Sequence, residues 1–162
     1  MRETTKIYLN TWGAYNDGSI GYGWFTPDEA RAFISEDEER DGGEWFIADI
    51  DNYLGVDFGN LEYCDIDEIC DTIDELEQLD EWELDYVIAL MEYLNTNDAQ
   101  EAIDAMDAHI IYSDIEDYYN ACDELLDFNG NDFLERYFDY DMYHRDCEYD
   151  IYQASNGVCI ME

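Results

Sequence analysis

The sequence from Asp41 to Glu135 contains neither lysine nor arginine, although it spans more than half of the chain. Thirty of the 44 carboxylate side chains lie in this stretch, spread along it rather than gathered in a tail. A net charge far from zero destabilises a compact state through self-repulsion. Folding this stretch therefore has an electrostatic cost, which suggests that the charge itself is used.

The composition is nevertheless that of a folded protein. The formal net charge is −38 in 162 residues, but disorder also requires low hydrophobicity and few aromatics. Here 47% of the residues are hydrophobic and 16% are aromatic, so a core can form in one domain or in two or three small modules. No membrane span or signal peptide is recognisable, which predicts a cytoplasmic protein. The five cysteines contain no CxxC pair and are expected to be buried, reduced thiols.

Residues 1–61 are predicted to form a small β-sheet with one helix. Strands are expected over 6–12 and 19–25, as a hairpin or a close pair around the Asp17-Gly18 turn signal, and over 44–50. The sequence Thr26-Pro-Asp-Glu29 has the pattern of a capping box and predicts a helix to about Ser35.

Residues 62–107 are predicted to form an acidic helical bundle without a strand. Asp65 and Asp80 are candidate N-caps, and Asn97 is expected to start a third helix. Apolar residues recur at helical spacing after each of these positions, for example Ile66, Ile69, Ile73 and Leu76 in the first helix.

Residues 108–162 are predicted to form an α+β module. A strand over 108–112 precedes a capping box at Ser113–Glu116, whose helix is expected to continue to Asn129-Gly130. Asn131 is expected to cap a last helix to about Tyr143, and Asn156-Gly157 predicts a closing hairpin. The predicted fold class is therefore α+β, as a chain of three small modules.

The helix faces opposite the apolar stripes carry closely spaced carboxylates with no cation to offset them. Like charges four residues apart destabilise a helix by about 0.2–0.5 kcal/mol per pair, and ordinary surfaces mix both signs. One such face alone is a solvated helix face; their succession favours a surface that competes with nucleic acid for a basic partner. The candidate residues of this acidic surface are Asp67, Glu68, Asp71, Asp74, Glu75, Glu81, Asp85, Glu92, Asp114, Glu116, Asp117, Asp123, Glu124 and Asp127.

Other chemistries find little support in the sequence. The stretch beginning at Asp127 starts like a calcium loop, but it has Asp132 where the loop needs glycine and Phe138 where it needs glutamate. His109 and His144 have no clustered metal-ligating partners, and no phosphate-binding glycine loop precedes a helix. We therefore expect no enzyme activity, no cofactor, no metal site, and no direct binding to nucleic acid or membranes.

Several segments resemble one known family. Residues 7–18, with Gly23-Trp24-Phe25, resemble the opening of the ArdA antirestriction proteins of conjugative elements and phages, and Trp45–Ile50 resembles that family's next strand. Residues 109–130 are similar to its antirestriction motif, and Asn156-Gly157 falls in its closing hairpin. Residues 143–146 resemble a Tyr-Gly-Arg-Asp stretch, with His144 in place of the glycine.

This resemblance implies an elongated DNA mimic, dimeric through its C-terminal module, that occupies the DNA-binding site of type I restriction–modification enzymes. Aromatic residues are dense in residues 108–162, as at the centres of protein interfaces, and the candidate dimer residues are Tyr112, Ile115, Tyr118, Tyr119 and Phe128. Two alternatives remain open: an acidic chaperone or scaffold for basic DNA-binding proteins, and a halophilic globular protein.

Overall fold

A computed structural model describes residues 3–51 and 53–161. In these residues it contains eight α-helices and two three-stranded sheets, which confirms the predicted α+β class. The chain forms two compact units, residues 1–84 with 96–101 and residues 85–95 with 102–162. The division into three modules remains a prediction.

The sheet of the first unit consists of β1 (Lys6–Thr11), β2 (Gly23–Phe25) and β3 (Trp45–Asp51), in the order β2-β1-β3. Both pairings are antiparallel, so Ile7 lies between Phe25 and Ile50. Ile7 and Leu9 of the central strand are fully buried, as the alternation in the sequence predicts.

β1 and β2 pair as the expected hairpin or close pair of strands, but the connection between them contains a short helix. The strand ends at Thr11, and α1 (Trp12–Asn16) follows because the Thr11 hydroxyl accepts a hydrogen bond from the Ala14 amide. The Trp12 ring stacks on Phe46 with a centroid distance of 4.2 Å, which fixes this turn on the sheet. Residues 17–22 therefore form a turn and loop, and β2 begins only at Gly23.

The capping box at Thr26 is confirmed. The Thr26 amide donates to the Glu29 carboxylate (2.9 Å) and the Glu29 amide donates to the Thr26 hydroxyl (3.4 Å), and α2 runs over Pro27–Glu36. The helix thus ends within one residue of the predicted position.

Three helices follow without a strand: α3 (Ile66–Glu77), α4 (Glu81–Leu94) and α5 (Ala99–Ala105). The predicted N-cap of α3 is confirmed, since the Asp65 carboxylate accepts from the Glu68 amide at 3.0 Å. The start of α5 differs, because Asp98 accepts from the Gln100 amide whereas the Asn97 side chain donates to the carbonyl of Phe58.

The sheet of the second unit consists of β4 (Ile110–Tyr112), β5 (Ile151–Gln153) and β6 (Cys159–Met161), with β6 in the centre. The predicted Asn156-Gly157 hairpin joins β5 to β6. Gly157 has a φ of +89°, a value that glycine adopts without strain, and the Ala154 amide donates to the Val158 carbonyl at 2.8 Å.

The helices of the second unit are shorter than predicted. The N-cap of α6 (Ile115–Glu124) is Asp114 rather than Ser113, and the helix ends before Leu125 instead of reaching Asn129. The predicted last helix is two helices, α7 (Asp132–Arg136) after Asn131 and α8 (Tyr140–Cys147) after Asp139.

Two reciprocal hydrogen bonds hold α6 against α8. The Tyr118 hydroxyl donates to the Cys147 carbonyl at 2.7 Å, and the Tyr143 hydroxyl donates to the Cys122 carbonyl at 2.9 Å. His144 lies inside α8, so the departure from glycine at this position is accommodated in a helix.

All five cysteines are free thiols; three are buried, and Cys64 and Cys147 are half-buried. Burial raises the pKa of the Cys70 thiol to about 12. Among the helices of residues 3–51 and 53–161, none has the length and apolar character that a bilayer crossing requires.

Candidate functional site

The acidic face of α3 follows directly from its buried stripe. Ile69, Ile73 and Leu76 point into the interior and are at most 1% exposed. With 3.6 residues per turn, this burial turns Asp67, Glu68 and Asp71 towards solvent, and all three are exposed. Asp74 and Glu75 lie at the border of the stripe and are half-buried.

Part of this face is compensated by a cation from α2. The Arg31 guanidinium donates to Asp71 at 2.5 Å and to Asp74 at 2.9 Å, and it also contacts Asp28 at 3.3 Å. The hydrogen bond to Asp74 is the main reason why the pKa of Arg31 lies above its already high value. Asp71 and Asp74 therefore join α2 to α3 in addition to contributing negative charge.

The carboxylates of α4 fall into two kinds. Glu81 and Asp85 are exposed near the start of the helix. Glu92 has exposed surface but accepts hydrogen bonds from the Tyr152 hydroxyl (2.7 Å) and the Ser155 amide (3.1 Å to each oxygen). Burial alone would raise the pKa of Glu92, but these hydrogen bonds outweigh it and the pKa lies below its ordinary value. Glu92 therefore anchors the β5–β6 hairpin as a carboxylate.

The acidic residues at the start of α6 also form the cap of that helix. Asp114 accepts from the Asp117 amide at 2.9 Å, and the Ser113 hydroxyl donates to the Asp117 carboxylate. Asp114, Glu116 and Asp117 all remain exposed. Negative charge in the first turn of a helix is favoured by the helix dipole, so these carboxylates also stabilise the helix.

At the other end of α6, the carboxylates differ in their surroundings. Asp123 is half-buried and lies 2.7 Å from Nε2 of His144, whose ring stacks on Tyr119 at a centroid distance of 4.2 Å. Glu124 and Asp127 are exposed, and Asp127 accepts from the Asn129 amide in the turn that follows.

None of the fourteen candidate carboxylates is buried: eleven are exposed, and Asp74, Glu75 and Asp123 are half-buried. Sequence reasoning thus placed them all at the surface of their elements. It missed the long-range contacts of Asp71, Asp74, Glu92 and Asp123, because their partners lie between 21 and 63 residues away along the chain.

The five candidate dimer residues have unequal surface. Tyr118 is only 2% exposed and fills the interior between α6 and α8. Tyr112, Ile115, Tyr119 and Phe128 are half-buried. The Tyr119 hydroxyl bonds to Glu148, a contact that raises its pKa to about 12. A surface formed by these residues would therefore depend on the four that retain exposed area.

A set of large apolar side chains is exposed in the same unit. Its members follow the end of α6 and lie on or beside α7 and α8, where the sequence predicted longer helices. They are Leu125 (81% exposed), Phe133 (66%), Leu134 (54%), Tyr137 (71%) and Met142 (58%). Leu125 lies just beyond the last residue of α6, whereas Leu134 and Met142 lie within α7 and α8.

Within residues 3–51 and 53–161, no group of three or more histidine, cysteine, aspartate or glutamate side chains is arranged to hold a metal ion. The candidate carboxylates lie on or near three helices, α3, α4 and α6. What such a surface can do chemically is attract and pair with cations over a wide area.

Comparison with known proteins identifies the family. No curated protein matches the chain closely enough to serve as a guide. The family model described as antirestriction protein (ArdA) matches residues 7–160, which include all but the first and last residues of the two sheets and all the candidate carboxylates. The chain therefore belongs to the ArdA family of antirestriction proteins.

Proposed function

We propose that this antirestriction protein is a DNA mimic whose carboxylate surface occupies the DNA-binding site of a type I restriction–modification enzyme. The block is competitive and involves no catalysis. One observation carries the proposal: every one of the fourteen candidate carboxylates keeps exposed surface, within a stretch of chain that contains no lysine or arginine.

The physical basis is the way in which enzymes hold DNA. Proteins that bind DNA take much of their affinity from lysine and arginine side chains that neutralise phosphates. Duplex DNA carries one negative charge per about 1.7 Å, so 38 charges correspond to roughly 65 Å of duplex. A folded carboxylate surface offers the same cations an alternative set of partners.

We further propose that two copies associate through the apolar surface of the second unit, formed by Leu125, Phe133, Leu134, Tyr137 and Met142. Exposed apolar area of this kind is characteristic of interaction sites, and a two-fold dimer would bury it. Two copies carry the charge of roughly 130 Å of duplex by the same arithmetic. Salt should strengthen this dimer, because it screens the repulsion between two anionic chains.

The proposal places the protein in the cytoplasm, where restriction enzymes meet DNA. An acidic chaperone would bind many basic proteins without competing for one DNA site, and a halophilic protein would need high salt to fold. Under the proposed function the protein folds at low salt, where its binding to the enzyme is strongest.

A displacement titration tests the mechanism. Fluorescently labelled target DNA is bound to a purified type I enzyme, and release is followed by anisotropy as the protein is added. The protein concentration needed for half-release should rise in proportion to the DNA concentration, because both ligands compete for one site. Bovine serum albumin, also acidic, serves as a control for unspecific charge effects. A ternary complex with undiminished DNA affinity would refute the proposal.

A further inference from the structure

Two helices of the second unit, α6 and α8, carry the same short pattern, a tyrosine followed four residues later by a cysteine. In α6 the pair is Tyr118 and Cys122, and in α8 it is Tyr143 and Cys147. Residues four apart lie on one face of a helix, so each tyrosine and its cysteine share a side. Each helix therefore presents a phenol and a thiol in the same direction.

Two hydrogen bonds place these sides against each other. The Tyr118 hydroxyl donates to the Cys147 carbonyl at 2.7 Å, and the Tyr143 hydroxyl donates to the Cys122 carbonyl at 2.9 Å. Rising positions in α6 thus meet falling positions in α8, so the two helices are antiparallel at this contact. Side chains of a helix lean towards its N-terminus. In this antiparallel arrangement the Cys122 and Cys147 side chains therefore lean towards each other.

The two thiols are neighbours, with unequal access to solvent. The Cys147 thiol forms a hydrogen bond with the Cys122 thiol. Burial is the main cause that raises the pKa of Cys147, and this hydrogen bond raises it further. Cys122 is only 7% exposed, whereas Cys147 is half-buried at the last residue of α8. A reagent can therefore reach Cys147 first, with Cys122 directly beside it.

We propose that Cys122 and Cys147 are a redox-modification site, at which a low-molecular-weight disulfide such as glutathione disulfide oxidises the two thiols to one disulfide bond. The Cys147 thiolate attacks glutathione disulfide, which forms a mixed disulfide and releases one glutathione thiolate. The Cys122 thiolate then attacks the Cys147 sulfur and releases the second glutathione thiolate. The two protein thiols lose two electrons and two protons in total, and one glutathione disulfide becomes two glutathione molecules.

The geometry favours the product, whereas the pKa of Cys147 slows its formation. The two tyrosine hydrogen bonds already hold α6 against α8, so closing the bond costs little conformational freedom in the folded protein. The raised pKa leaves little thiolate, the attacking species, at neutral pH. Reducing conditions keep the pair as thiols. A shift to oxidising conditions joins the two helices covalently without changing the charge of the protein.

Equilibration with glutathione tests the site. The full-length protein is incubated for a day at mildly alkaline pH with an excess of glutathione disulfide over glutathione. Remaining thiols are alkylated, and unreduced peptides are mapped by mass spectrometry. The expected product is a Cys122–Cys147 disulfide in preference to glutathione adducts, with a thermal midpoint raised by about 5–10 °C. A protein that stays reduced, carries only glutathione adducts or links other cysteines preferentially would overturn the inference.

Two variants separate this pair from general thiol reactivity. Cys122→Ser removes the second step, so a glutathione adduct should accumulate at Cys147. Cys64→Ser is the matched control and should leave the crosslink intact, because Cys64 is also half-buried but its thiol donates to the carbonyls of Phe58 and Asn60 in the first unit. Loss of the crosslink in Cys64→Ser, or its persistence in Cys122→Ser, would refute the assignment.

The site is independent of the proposed function. Two neutral thiols become a neutral disulfide, so the crosslinked protein should displace DNA from a restriction enzyme as well as the reduced protein does. If the crosslink forms but neither the crosslinked nor the reduced protein displaces DNA, the proposed function is refuted and the redox site stands.

Discussion

Glu92→Gln separates a structural carboxylate from those that only contribute charge. Glu92 accepts from Tyr152 and Ser155 at 2.7–3.1 Å, and the residues four positions away, Ile88 on α4 and Thr96 just beyond its end, are uncharged. Neutralising Glu92 therefore removes hydrogen bonds while relieving little local repulsion. Glutamine keeps the shape but brings an amide donor towards other donors.

The expected loss at neutral pH is about 1 kcal/mol in the free energy of unfolding. Hydrogen bonds to charged groups contribute about 1.5–3 kcal/mol, and the exposed position of Glu92 reduces this through solvent screening. Because the pKa of Glu92 in the folded protein is below its ordinary value of 4.5, the difference between parent and variant should be complete above that pH. It should then shrink as the pH falls through the folded pKa and Glu92 becomes protonated.

Unfolding by urea, followed by circular dichroism and by the exchange of the Ser155 amide, measures this difference. Guanidinium chloride is unsuitable because it screens the charges under study. Glu124→Gln is the matched control: Glu124 is exposed at the last residue of α6, where the helix dipole disfavours negative charge, so the variant should be slightly more stable. A Glu92→Gln protein that is as stable as the Glu124→Gln protein at pH 7 would refute this account of Glu92.

Three further predictions concern single residues of the first unit. Arg31→Gln should lower stability by about 1 kcal/mol, and more at low salt than at high salt, because it leaves Asp71 and Asp74 uncompensated; urea unfolding at two salt concentrations checks this. Gly13→Ala should lower the free energy of unfolding by about 2 kcal/mol or more in the same assay, because a Cβ there would lie 1.9 Å from the carbonyl oxygen of Asp41. The cost of this clash exceeds the stabilisation of about 1 kcal/mol that alanine gains over glycine in helix propensity. Cys70 should resist iodoacetamide at pH 8 in the folded protein, because it is fully buried and burial raises its pKa to about 12. Mass spectrometry measures the labelling, and labelling of Cys70 as fast as that of half-buried Cys64 would contradict the prediction.

Local signals in the sequence were sufficient for most elements. The capping box at Thr26, the N-cap at Asp65 and the Asn156-Gly157 turn each depend on hydrogen bonds within a few residues, and all three are present. The alternation in β1 and the apolar stripe of α3 likewise identified the buried faces. These features are encoded within one turn or one strand, so a single sequence reveals them.

The end of α6 shows where periodicity misleads. Leu125 and Leu126 continue the apolar spacing of the helix, yet the helix ends at Glu124 and Leu125 is 81% exposed. Asp123 and Glu124 place negative charge at the C-terminal end, where the helix dipole disfavours it, and Asn129 adopts a positive φ of 52° beyond it. Neither the unfavourable charge at the helix end nor the positive φ of Asn129 can be inferred from the apolar spacing alone.

Contacts between distant residues account for what the sequence did not reveal about the candidate site. Arg31 lies 40 residues from Asp71, and Tyr152 lies 60 residues from Glu92, so no local pattern links them. The sequence identified which carboxylates are accessible, but not which of them also stabilise the fold. This division matters for mutagenesis, because neutralising Glu92 tests the hairpin whereas neutralising Glu68 or Glu116 tests the charge.

The salt dependence of the complex with a type I enzyme tests the central claim most directly. Its dissociation constant is measured by surface plasmon resonance over a series of salt concentrations, in parallel with the dissociation constant of target DNA. If the carboxylates replace phosphates, the affinity should fall steeply with salt for both ligands. A variant with Asp67, Glu68, Glu116, Glu124 and Asp127 all changed to their amides should show a shallower slope and weaker binding while remaining folded. An affinity that is independent of salt, or that is unchanged in this variant, would contradict the account.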